Sequence, residues 1–263
     1  MPQKKTRAGH HHVLRKHFAA ADPIIAEIIA RVGQYGLRKR PERFQALVRA
    51  IIFQQLAGAA ALAIYNRFVG LFGDGRFPTP QEVLARSIPE LRSVGLSQRK
   101  IEYIRDLAAR AADGRINFHR FARMADEAII EELTQIRGIG RWTAEMFLMF
   151  NLGRPDVLPV GDLGVRSAVM KAYAMARRPT PKELRALGEK WSPHRTAVSW
   201  YLWQSLRIIT PGADAKLPIE RSKAASGKRR ATAALTAPST HRRKVSAPKR
   251  VPKGRRQSRA KSN

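Results

Sequence analysis

The chain contains no cysteine. That excludes disulfides, thiolate zinc sites and an iron–sulfur cluster held by four cysteines, and it suits a reducing compartment. No apolar run approaches the roughly eighteen residues that a membrane-spanning helix needs, so no membrane partner is expected. The basic N-terminus reaches His10-His11-His12 before any apolar stretch, which does not read as a signal peptide. No alternation of apolar and polar residues is long enough for a strand, which leaves an all-α chain. Acids are scarce: 20 Asp and Glu stand against 50 Lys and Arg, a formal charge of +30. Such an excess predicts a polyanionic partner, most simply nucleic acid. Residues 211–263 lack aromatics and are rich in Lys, Arg, Ala and Pro. Such a segment cannot bury enough apolar area to order itself, so a disordered basic C-terminal tail is expected. From Lys216 onward it carries sixteen Lys or Arg and one acid, Glu220, which is half of the formal charge.

Residues 1–12 are also expected to be disordered, leaving 13–210 as the folded domain. Across it, apolar residues recur at helical spacing: Leu14, Phe18, Ile25, Ile28 and Ile29, then Leu47, Val48, Ile51 and Ile52. Asp22-Pro23 predicts a helix start with proline at its first position. Ser97 is a natural N-cap, and Thr180-Pro181-Lys182-Glu183 has the form of a capping box. Arg99, Lys100 and Arg105 fall on faces away from the apolar stripe of their helix. A phosphate backbone or plain solvent accounts for them equally well.

The most informative stretch is Leu133–Val169. It reads as a helix, the hairpin Arg137-Gly138-Ile139-Gly140, a helix from Trp142, a loop, and a new helix opening at Asp162. Glycine at 138 and 140 permits positive φ and leaves the backbone bare. The amides at the following helix start then form a site for a phosphate, drawing on Gly138, Ile139, Gly140, Arg141 and Thr143. Asp162 ends Pro159-Val160-Gly161-Asp162, where the next helix's dipole favours a carboxylate.

The pattern L-x-x-I-x-G-I-G-x-W-T-A…L-P-x-G-D resembles the helix-hairpin-helix DNA glycosylase superfamily, and within it the 3-methyladenine DNA glycosylase II branch. The resemblance covers about residues 15–209, with the helix-hairpin-helix at about 126–152. It implies two helical subdomains with a cleft between them, and a monomer acting on double-stranded DNA that contains alkylated bases. Asp162 would be the catalytic residue. Trp142, Met146 and Trp203 would line the base pocket, although position 146 is often aromatic in the family. Ile51-Ile52-Phe53-Gln54-Gln55-Leu56 is similar to the segment that fills the hole left by an extruded nucleotide, so the wedge would be Gln55 or Leu56. The carbonyls of Thr134, Ile136 and Ile139 would hold Na+ or K+ against a DNA phosphate, with no other cofactor.

Residue chemistry agrees with that implication. Breaking an N-glycosidic bond builds positive charge on the sugar, which a nearby carboxylate stabilises. A cationic alkylated base favours electron-rich aromatic walls. Family relatives with strand-cleaving activity place a lysine where this chain has Trp142, so hydrolysis without lyase activity is expected. A non-catalytic DNA-binding protein is the alternative, but it would have no use for a carboxylate beside phosphates. The expected setting is cytoplasmic and nucleoid-associated, or nuclear in a eukaryote.

Overall fold

The computed structural model describes residues 3–73 and 75–209, and over these the chain is helical. The tail expected at 211–263 lies outside the described residues. Helix boundaries follow local chemistry. Asp22 caps α2 (Pro23–Val32), accepting from the Ile24 and Ile25 amides at 3.2 and 3.4 Å. Thr79 and Ser87 open α5 (Pro80–Ala85) and α6 (Ile88–Ser93) with complete capping boxes. Ser97 caps α7 (Gln98–Ala112), and Thr180 opens α11 (Pro181–Leu187) with another capping box.

Two apolar cores form. The first joins α3 (Arg43–Phe53), α4 (Gly58–Gly70) and α5 to α7 with α8 (Asp126–Thr134) and α9 (Arg141–Phe147), around Ile51, Phe68, Ile104, Leu133 and Phe147. The second joins α1 (Gln3–Ala21), α2, α10 (Leu163–Ala172) and α12 (Arg195–Ile209), around Phe18, Ile29, Val169, Trp191 and Tyr201. Trp203 packs against both cores. These are the two expected helical subdomains, and the described residues group as one compact unit.

Of the residues expected to lack structure, 3–12 are helical, because α1 begins at Gln3. Polarity suggested disorder, but the tie is long-range. His11 Nδ1 lies 3.1 Å from the Tyr201 hydroxyl, and Leu14 and Phe18 are fully buried further along the same helix. A second long-range tie is Asp22, 1% exposed, which accepts from Trp191 Nε1 at 2.8 Å and from the Tyr173 hydroxyl, and pairs with Lys190 at 3.0 Å. Burial alone would raise this carboxyl's pKa, but the three donors outweigh it and hold the group below its ordinary value.

Candidate active site

The hairpin between α8 and α9 is held from α7. Gly138 sits at φ 79°, and a Cβ there would lie 2.1 Å from Tyr103 Cδ2, so the turn admits no side chain. The Arg137 amide donates to Asp106 Oδ2 at 2.9 Å, and Gln54 Nε2 donates to the Gly138 carbonyl at 2.8 Å. Gly140 does not use the positive φ that glycine permits. At φ −92° it is the N-cap of α9, and a Cβ there would meet nothing within 4 Å. Its value is openness rather than conformation.

The first amide bonded inside α9 is that of Ala144, to the Gly140 carbonyl at 3.1 Å, which leaves the amides of Arg141, Trp142 and Thr143 facing out of the helix start. The side chains at two expected phosphate positions are engaged elsewhere. Arg141 makes a fork to Glu127 at 2.5 and 2.7 Å and reaches Glu145 at 3.1 Å. Glu145 is 4% exposed, and burial raises its pKa, so it needs that cation. Thr143 is buried and lines the cleft. At 141 and 143 the backbone, not the side chain, is what the hairpin presents.

The loop after α9 ends at Asp162, the N-cap of α10, which is 8% exposed. Its Oδ1 accepts from the Val165 amide at 2.7 Å and from Trp203 Nε1 at 2.9 Å, and its Oδ2 from Trp142 Nε1 at 2.7 Å. Three donors converge on a group that only accepts when ionised. The expected pocket tryptophans therefore do something the sequence did not reveal, orienting the aspartate through their ring nitrogens. Trp142 is half exposed, and Trp203 stacks on Phe150 with ring centres 6.0 Å apart at 19°. Phe150 was also missed. Its signal was spacing, since Trp142, Met146 and Phe150 recur every four residues along one face.

Two recesses adjoin along α3 and α9. One, of about 460 Å³, is lined by Ala50, Phe53, Gln54, Gln55, Trp142, Thr143 and Met146. The other, of about 420 Å³, shares Ala50, Thr143 and Met146 and extends to Gln45, Arg49, Tyr65 and Phe150. Gln55 and Leu56 sit exposed on the turn after α3, Gln55 at φ 56° and Leu56 39% accessible. Lys100 and Arg105 do not face outward as a phosphate contact would. Lys100 Nζ donates to the Ile52 and Gln54 carbonyls, and Arg105 to those of Leu84 and Arg86. Arg99 is the exposed member of the three. On the hairpin, the Ile136 carbonyl accepts from the Ile139 amide at 3.1 Å, while Thr134 is the last residue of α8. Among the described residues no cluster of His, Asp and Glu could hold a metal ion.

Comparison with known proteins identifies the family. Residues 48–194 match the model of the HhH-GPD superfamily base excision DNA repair proteins. DNA-3-methyladenine glycosylase 1 of Schizosaccharomyces pombe is 36% identical over 79% of this chain and 91% of its own length. The solved S. pombe 3-methyladenine DNA glycosylase in complex with abasic DNA superposes with a TM-score of 0.66 at 36% identity, covering 73% of this chain and 96% of that one. A DNA-3-methyladenine glycosidase from Bacillus halodurans gives a TM-score of 0.68 at 39% identity over 72% and 87% of the two chains. With its hairpin, its capped aspartate and more than half its length matched, this chain belongs to the HhH-GPD superfamily of base excision DNA repair proteins.

Proposed function

We propose that this chain is a monofunctional DNA glycosylase that extrudes an alkylated purine of the 3-methyladenine type from duplex DNA and hydrolyses its N-glycosidic bond. The observation that carries the proposal is Asp162, held by two indole N–H groups and a helix-start amide beside an aromatic cleft. The bond from C1′ to the purine nitrogen breaks with its electron pair leaving on the base. The Asp162 carboxylate faces the positive charge that develops on the sugar. Water then bonds to C1′ and passes a proton to Asp162 and on to solvent. A base already cationic departs neutral and needs no acid, so a single carboxylate suffices. The open face of Trp142, together with Met146, offers that base stacking and a polarizable surface.

The backbone amides from Gly140 to Thr143 would hold a phosphate of the same strand, that of Ile139 being bonded to the Ile136 carbonyl. A monovalent cation on the carbonyls of Thr134, Ile136 and Ile139 belongs to the same proposal. Gln55 and Leu56 would fill the space that the extruded nucleotide leaves, which offsets part of the few kcal/mol of unstacking. Release of alkylated bases from methylated duplex DNA, identified by mass, tests the function directly, and no release above background would refute it.

The product should be an abasic site in an unbroken strand. The position that would need an amine nucleophile is Trp142, and Arg141 beside it is paired with two carboxylates and never deprotonated. Borohydride should therefore trap no covalent adduct, and strand breaks should appear only after alkali. An adduct stable to denaturation would overturn the monofunctional reading.

The basic segment should dominate non-specific affinity. Each phosphate neutralised adds roughly 0.9 to the slope of log affinity against log salt. Ending the chain at Thr210 removes +14 of the formal +30 and should flatten that slope by several units. Single-turnover excision at saturating enzyme should stay close to that of the full chain, because Asp162 and the cleft precede the cut. An unaltered salt slope would show that the segment does not anchor DNA.

A further inference from the structure

Lys100 occupies an unfavourable place for a cation. It lies in the first turn of α7, where the helix dipole disfavours positive charge. Its ammonium reaches across to the end of α3, donating to the Ile52 carbonyl at 2.6 Å and the Gln54 carbonyl at 2.9 Å. Carbonyls at a helix C-terminus have no partner within the helix, so this cation satisfies groups that α3 leaves open. Gln54 then extends the connection, its amide donating to the Gly138 carbonyl of the hairpin at 2.8 Å. The next residue, Gln55, stands at φ 56°, a left-handed conformation that a side-chain-bearing residue keeps only when its surroundings impose it. Three and six residues beyond Lys100 on α7, Tyr103 fills the space against Gly138 and Asp106 accepts from the Arg137 amide. A single helix thus holds both the turn that bears Gln55 and Leu56 and the hairpin.

We propose that Lys100 is a positioning residue for base extrusion. Through the Ile52 and Gln54 carbonyls it fixes the turn carrying Gln55 and Leu56 at a set distance from the phosphate-binding hairpin, so that the plug meets the vacated space while the hairpin holds the strand. Lys100 touches neither the base nor the sugar in this scheme. Without it, the enzyme would still bind DNA but insert the plug poorly. The inference rests on the glycosylase reading above.

The probe is a duplex with a tetrahydrofuran abasic site opposite 2-aminopurine, whose emission rises when a protein side chain separates it from its neighbours. Wild-type protein at saturation should produce that rise. Lys100→Met should bind the duplex within about threefold of wild type and melt at a similar temperature. It should give less than half the rise and release alkylated bases about tenfold more slowly in single turnover, the loss expected for hydrogen bonds from a charged donor. Gln54→Met cuts the other end of the same connection and should reproduce the defect, which keeps the test open if Lys100→Met melts early. A full emission rise in both variants would overturn the proposal, as would a fall in affinity that accounts for the lost signal. Failure of the glycosylase reading is separately visible, because wild-type protein would then release no base whatever the emission does.

Discussion

Asp162→Asn is expected to slow base release by about three orders of magnitude, the scale seen when an electrostatic group at a reaction centre is removed. Duplex binding should stay within severalfold of wild type. The cause is charge first. An amide cannot offset the cation developing on the sugar, nor take a proton from water. The structure adds a second effect, because each oxygen of Asp162 already accepts from an indole. An asparagine must turn its NH2 toward one of those N–H donors. Trp203 Nε1 shares its acceptor with the Val165 amide, so the amide oxygen should stay on that side. The NH2 then faces Trp142, which at 50% exposure can take water instead. Trp142 should therefore loosen, and indole emission should shift toward that of exposed tryptophan. Turnover at the wild-type rate would sink the assignment of Asp162. Lost activity accompanied by a large fall in melting temperature would make it a structural cap.

The helical periodicity and the caps at Asp22, Ser97 and Thr180 could be read from the sequence because each depends on residues three or four apart. The hairpin and Asp162 were legible for the same reason, as a compact pattern over thirty-seven consecutive residues, Leu133 to Val169. What stayed hidden depends on pairs far apart in the chain. Trp203 meets Asp162 across forty-one positions and Gln54 meets Gly138 across eighty-four. Lys100 looked like an outward-facing cation because its helix alone was in view, and the partner carbonyls belong to α3. Arg141 misled in the same way. It is expected at a phosphate, but its guanidinium forks to Glu127 and reaches Glu145. Side-chain chemistry over short spans was recoverable, and the division of labour among cations was not.

The two hairpin glycines, alike in sequence, should fail in opposite ways. Gly138→Ala should destabilise the fold by about 2–4 kcal/mol, since it combines left-handed strain with overpacking. The overlap is with Tyr103 Cδ2 at 2.1 Å and with Cγ at 2.6 Å. Cγ is fixed close to the α7 backbone, so turning the ring cannot relieve the contact. Either the hairpin or α7 must move, and the Arg137–Asp106 and Gln54–Gly138 bonds would stretch together. Melting temperature, excision and DNA affinity should all fall. Removing the ring in Gly138→Ala/Tyr103→Ala should recover part of the loss relative to the sum of the single changes, leaving the φ 79° strain in place. Gly140→Ala adds its methyl to open space at φ −92° and should change stability by no more than about 0.5 kcal/mol. That methyl would stand where a phosphate approaches the bare amides, so DNA affinity should drop severalfold while the melting temperature holds. If Gly140→Ala binds damaged and undamaged duplex as tightly as wild type, the backbone at α9's start does not meet the phosphate. The hairpin's contact with DNA would then have to be sought on its Thr134–Arg137 side.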